Sequence, residues 1–144
     1  MAIPDECYDV ILIDDDHGPM DFYVAAMELK GLKVRHIDNV DDAWLYFEEK
    51  SSPNPPRLFV IDMMMPPGLY LTMEETNGGM ETGLHVIAKC RKKFPSVPVI
   101  CLSNAMCKES VAPLKGVLHE AKYHRTPLNF ASIVLDELSQ SGKL

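Results

Sequence analysis

The sequence predicts a doubly wound α/β fold built on a five-stranded parallel sheet. Two observations lead there. Short apolar runs alternate five times with amphipathic helical stretches over 144 residues, and strict alternation of this kind builds parallel sheets with helices on both faces. Three of the runs also stop abruptly at polar residues: Asp14-Asp15-Asp16, Asp62 and Ser103. Parallel strands buried on both faces read as continuous apolar stretches with such sharp ends.

The elements follow in order. Tyr8–Ile13 (YDVILI) is the first strand. Pro19 to Lys30 forms a helix, with proline suited to its first turn and Gly31 to its stop. Leu32–Ile37 alternates apolar and basic residues, as a strand near a sheet edge does. Asp41 to Glu49 is a short helix with Ala43, Trp44, Leu45 and Phe47 on its apolar side. Ser51–Pro56 is a loop, since its prolines forbid regular structure. Leu58–Ile61 is the third strand, ending at Asp62. Residues 66–81 combine turn residues at both ends with a polar middle. Thr82 to Phe94 is helical, and Val97–Leu102 is the fourth strand. A weak helix spans Lys108–His119, interrupted by Pro113, and Lys122–Arg125 is a short fifth strand. Asn129 to Leu138 is the last helix. Right-handed crossovers leave few arrangements of these parts, and five strands favour the flavodoxin-like order 2-1-3-4-5.

Bulk properties narrow the function classes. The chain suits one domain, residues 1–144, with an inserted loop at about 67–82. A formal net charge of −7 and no basic stripe disfavour direct nucleic-acid binding. The cluster Lys89, Arg91, Lys92 and Lys93 sits late in a helix, where it complements the dipole. No apolar run reaches the ~20 residues of a bilayer span, and the acidic start lacks a signal-peptide pattern, so no membrane insertion and a cytoplasmic location are expected. Cys7, Cys90, Cys101 and Cys107 form no Cys-x-x-Cys pair, and Cys90 and Cys101 lie in apolar patterns as free buried thiols.

The strand ends carry the chemistry. In open α/β sheets, ligands bind outside the carboxyl ends of strands where the strand order switches. That crevice lies between strands one and three, so it gathers Asp14, Asp15, Asp16 and Asp62. Two like charges ~4 Å apart repel by about 4 kcal/mol at an effective dielectric near 20. A cluster kept together calls for a cation, and Mg²⁺ takes such oxygen ligands beside phosphate. Capping of the first helix by Asp15 or Asp16 is the plainer explanation for one aspartate, but it does not account for Asp62.

The segments VILIDDD, LFVIDMMMP, PVICLSNA and YHRTP resemble, in order and place, the motifs of response-regulator receiver domains. The resemblance implies that Asp62 is the phosphoacceptor, taking a phosphoryl group from a histidine kinase or phosphotransfer protein. It implies Mg²⁺ held by Asp14, Asp15, Asp62 and the backbone carbonyl of Met64. It places Ser103 at the hydroxyl that contacts the phosphoryl group and Tyr123 at the aromatic switch. It implies a stand-alone signalling or phosphorelay protein that acts on a downstream protein partner as a monomer or weak homodimer. Only self-phosphorylation and dephosphorylation chemistry is expected, not enzyme activity in the usual sense.

Two departures stand out. Where the family carries a lysine before the proline after strand five, this chain has Thr126 before Pro127. Arg125 is expected to point away from the pocket by strand alternation, and Lys122 to lie too far back along the strand. The second departure is the insertion after Pro66, readable as a lid, a hairpin, a docking surface or a solvated loop. Three functions therefore compete: a phosphorylatable receiver, a receiver-like interaction module that no longer signals by phosphate, and a Mg²⁺-dependent phosphohydrolase. The last lacks a second acid two residues after the nucleophile, where Met64 stands.

Overall fold

The computed structural model describes residues 7–49 and 54–140. Residues 51–53 of the expected Ser51–Pro56 loop lie outside them. The elements are β1 (Val10–Ile13), α1 (His17–Leu29), β2 (Val34–Ile37), α2 (Val40–Glu48), β3 (Leu58–Ile61), α3 (Thr82–Lys93), β4 (Val99–Ser103), α4 (Lys108–Val111), β5 (Val117–Ala121) and α5 (Pro127–Gln140). All strands pair in parallel, in the order β2-β1-β3-β4-β5. The expected fold class and strand order are those observed.

Strand alternation divides the core between two faces. Ile11, Ile13, Phe59, Ile61, Val99 and Cys101 pack with α2 and α3 around Ala43, Phe47, Val86 and Ile87. Val10, Leu12, Leu58, Val60, Ile100 and Leu102 pack with α1 and α5 around Met20, Met27, Phe130 and Val134. The central strands are buried on both sides, which is why they read as uninterrupted apolar runs. Cys90 and Cys101 are buried free thiols, as their surroundings in the sequence imply. Among the described residues, no helix is long and apolar enough to cross a membrane.

The chain departs from expectation on its C-terminal side. The helix expected over Lys108–His119 is only Lys108–Val111, and β5 is Val117–Ala121 rather than Lys122–Arg125. Val111, Leu114 and Leu118 mimic helical spacing, yet Gly116 takes a φ of 81° that breaks the run. β5 then pairs with β4 from Val99↔Val117 to Ser103↔Ala121. It is an edge strand with half-buried polar residues, so no continuous apolar run marks it.

The inserted segment, ending at Glu81 before α3, folds back on α2 and α3. Leu71 enters the core, and Tyr70 stacks on Trp44 at 6.2 Å between ring centroids. The Lys89 ammonium lies 4.6 Å from the Trp44 ring. Leu69 N–H donates to Asp41 Oδ1 at 2.8 Å. Thr72 begins a tight turn, its Oγ1 accepting from Glu75 N–H and its carbonyl from Thr76 Oγ1. Asn77, Gly78 and Gly79 then run in the left-handed region, and the Gly79 carbonyl accepts from Met65 N–H at 3.2 Å.

The start of α3 closes tightly under the end of β3. Thr82 Oγ1 donates to the Met65 carbonyl at 2.6 Å, and Gly83 N–H donates to the Met63 carbonyl at 2.8 Å. A Cβ at Gly83 would collide with the Asp62 carbonyl oxygen and lie 2.5 Å from Met63 Cα. Both are backbone atoms with little room to move. Gly83→Ala is therefore expected to lower stability by at least about 1–3 kcal/mol. Urea unfolding measures this, and an unchanged midpoint would contradict the packing described.

Candidate functional site: an acidic pocket closed by Lys122

Each functional side chain sits at or just beyond the carboxyl end of a strand. Asp14 follows β1, Asp62 follows β3, Ser103 ends β4 and Lys122 follows β5. The sheet order brings these ends together. Asp15, Asp16, Asp62, Met64, Asn104, Lys122 and Tyr123 line an open pocket of about 410 Å³. Asp14 lies beneath it, fully buried, and Asp62 is nearly so. Carboxylate oxygens of Asp14, Asp15 and Asp62 fall within 4.8 Å of one another.

Lys122 is the residue that sequence reasoning misplaced. Because β5 ends at Ala121, Lys122 lies at the strand's end rather than too far back along it. Its backbone N–H donates to the Ser103 carbonyl at 2.8 Å, which fixes its position beside β4. Its ammonium crosses to Asp14 Oδ2 at 2.8 Å and Asp62 Oδ2 at 3.2 Å. The available signal was Gly116 followed by Val117-Leu118, a helix stop and a strand start.

Electrostatics follow from burial. Burial lifts the Asp14 carboxyl above its ordinary range, although the Lys122 ammonium pulls it down. Burial also pushes Asp62 up to about 7, helped by the charge of Asp14 and opposed by Lys122. Desolvation alone would lower the Lys122 ammonium, but Asp14 and Asp62 outweigh it and hold Lys122 above its usual value. When Asp14, Asp15 and Asp62 are all ionised, the single Lys122 ammonium leaves two of their negative charges uncompensated.

The donor set fits a divalent cation. Asp14, Asp15 and Asp62 bring carboxylate oxygens within 4.8 Å of one another, and the buried Asp14 Oδ2 has the Lys122 ammonium at 2.8 Å. Helix capping does not explain the aspartates either. Asp16 occupies the N-cap of α1 without a side-chain cap, and its own N–H donates to Asp14 Oδ1 at 2.9 Å.

Ser103, Tyr123 and Thr126 lie in three different settings. Ser103 is fully buried, and its Oγ lies 3.1 Å from His119 Nε2 and 3.5 Å from Cys101 Sγ. Burial holds the His119 imidazole below its ordinary pKa, so it is neutral near pH 7. Tyr123 lies beyond β5 with a φ of 65° and is 63% exposed. Its N–H donates to Tyr23 Oη at 3.1 Å, and its hydroxyl rests 3.5 Å from Asp16 Oδ2. The imidazole beside Ser103 on the neighbouring strand is that of His119. Thr126 does not line the acidic pocket: its Oγ1 accepts from Asn129 N–H at 3.2 Å at the start of α5.

No family model and no curated protein matches the sequence. Solved structures do match the fold. A CheY-like response-regulator receiver domain protein from Methanospirillum hungatei superposes with a TM-score of 0.71 at 19% identity, covering 96% of this chain and 98% of that one. NtrX from Brucella abortus gives a TM-score of 0.71 at 19% identity over 95% of this chain, which spans only 28% of NtrX. A response-regulator receiver domain protein from Clostridium thermocellum gives 0.69 at 18% identity, covering 92% of this chain and 95% of that one. With its five parallel strands in the order 2-1-3-4-5, this chain has the fold of a response-regulator receiver domain.

Proposed function

We propose that the protein is a phosphoacceptor receiver, with Asp62 taking a phosphoryl group from a histidine kinase or phosphotransfer protein and a downstream protein reading the result. The observation that carries this reading is the Lys122 ammonium bridging Asp14 and Asp62 at 2.8 and 3.2 Å. It supplies the cation that Thr126 does not. The argument for a module that no longer signals by phosphate rested on that missing cation, and the place of Lys122 supports the phosphoacceptor reading against it.

Asp14, Asp15, Asp62 and the Met64 carbonyl would hold Mg²⁺. When bound, that ion neutralises charge on the phosphoryl oxygens. The chain's own groups do the rest. Asp62 offers a carboxylate oxygen as nucleophile, forming an acyl phosphate as the donor imidazole leaves. Lys122 is placed to stabilise charge developing there without reorganisation. Ser103 can turn its hydroxyl from His119 toward the new anion, which carries about −1.5 to −2 charge by analogy with phosphorylated hydroxyls. That exchange of partners would couple the pocket to β5 and to the surface beyond it. Only self-phosphorylation and dephosphorylation are expected of the chain itself.

Intact-mass analysis after incubation with a small acyl phosphate and Mg²⁺ tests the proposal. One added phosphoryl group is expected, absent without metal and absent in Asp62→Asn. An unmodified chain under conditions that label ordinary receivers would refute it.

A further inference from the structure

A second cluster of metal-ligand side chains lies outside the acidic pocket, where α1 crosses the edge strand β2. His17 and Asp21 are four residues apart on α1, so both project from one helix face. His36 lies on β2, on the same face as Val34, which packs toward α1. One nitrogen from each ring and one Asp21 oxygen lie within 4.8 Å of one another. The two rings stand 5.3 Å apart, tilted by 52°.

A separate observation concerns how the rings are held. His36 Nε2 lies 2.7 Å from the Asp14 backbone carbonyl. A carbonyl only accepts, so Nε2 carries the proton and Nδ1 keeps the lone pair of the neutral ring. His17 Nε2 lies 2.5 Å from Asp38 Oδ2. A carboxylate oxygen only accepts, so when the His17 ring is neutral its Nε2 carries the proton and Nδ1 keeps the lone pair. Metal-binding histidines characteristically donate their second N–H to a carboxylate or backbone carbonyl, which orients the ring. Here one ring uses each kind of acceptor, and neither acceptor belongs to the three ligands.

We infer that His17, Asp21 and His36 form a surface site for a Zn²⁺-class transition ion. Two imidazoles and one carboxylate suit Zn²⁺ rather than Mg²⁺, which prefers oxygen ligands alone. Tetrahedral zinc ligands at ~2.0–2.1 Å stand about 3.4 Å apart. Closing from at most 4.8 Å is a shift of about 1.4 Å, and the His17 side chain is 64% exposed. Water would complete the coordination. The site touches the acidic pocket through the Asp14 backbone carbonyl, and none of its three ligands belongs to the acidic cluster.

The test is titration of the untagged full chain with Co²⁺, then displacement by Zn²⁺, in excess Mg²⁺ to occupy the acidic pocket. One Co²⁺ per chain is expected, with the visible absorption of a nitrogen-ligated tetrahedral ion. His17→Gln and His36→Ala should each weaken binding at least tenfold. Asp38→Asn, which loosens the orientation of His17 without removing a ligand, should weaken it about 10–100-fold. Asp62→Asn should leave it unchanged. His17→Gln lies on the surface, so it keeps the test open if His36→Ala fails to fold. Absence of Co²⁺ binding would overturn the inference. So would binding that survives both histidine changes or is lost in Asp62→Asn.

Discussion

Replacing Lys122 by methionine is expected to destabilise the metal-free protein by about 3–5 kcal/mol near pH 8, because removing one partner strands buried charge on the other. The Lys122 side chain is only 12% exposed, and it is the cation shared by Asp14 and Asp62. Methionine keeps most of the aliphatic stem, so lost packing contributes little. The sign of the pH dependence follows from the carboxylates. Both already have raised folded-state pKa values, and losing Lys122 raises them further. The variant's deficit should therefore shrink near pH 5, where both carboxyls can take up protons, and grow as pH rises. Denaturant unfolding at the two pH values measures it. A deficit equal at both would contradict an electrostatic role. The same variant should slow phosphoryl transfer by about 10²–10³-fold if Lys122 acts as a preorganised cation.

Asp62→Asn is expected to have the opposite effect on stability. The Asp62 carboxyl has an ordinary value of 3.8 and a folded value of about 7. Between those values the folded protein holds a proton that the unfolded chain has released. Stability from this group is thus present at low pH and lost as pH rises through that window. The full gap corresponds to ~4 kcal/mol, and coupling to Asp14 and Lys122 makes about 2–4 kcal/mol the expected range. Asparagine cannot ionise, so the variant should escape the decline and exceed the parent protein near pH 8. Added Mg²⁺ should recover the parent's loss and do much less for the variant. Thermal melting from about pH 4 to pH 8, with and without Mg²⁺, reads both effects. A parent protein whose stability rises over this window in the absence of metal would contradict the assigned burial of charge.

The parts of the fold legible in the sequence were those where burial acts on both faces of a strand. β1, β3 and β4 are buried throughout and read as apolar runs with polar ends. Their ends supplied Asp14, Asp62 and Ser103 without reference to any structure. β5 was not legible, because an edge strand carries His119 and Glu120 at half-buried positions and follows a short helix with similar spacing. Moving that strand by five residues moved everything measured from it. Lys122 shifted from a remote position to the pocket, His119 came to lie beside Ser103, and Thr126 fell at the start of the last helix. The inserted segment could not be resolved among its alternatives from composition. Its fold depends on long-range contacts, Tyr70 with Trp44 and Leu69 with Asp41, that no local pattern announces.

The account turns on Asp62 being the acceptor of a phosphoryl group, and the most direct measurement locates the modification. The protein would be treated with a small acyl phosphate and Mg²⁺, reduced with borohydride to convert an acyl phosphate to the alcohol, and mapped by peptide sequencing in the mass spectrometer. The expected result is homoserine at position 62 and at no other aspartate. Unmodified aspartate at 62, or reduction at Asp14 or Asp15 instead, would contradict it.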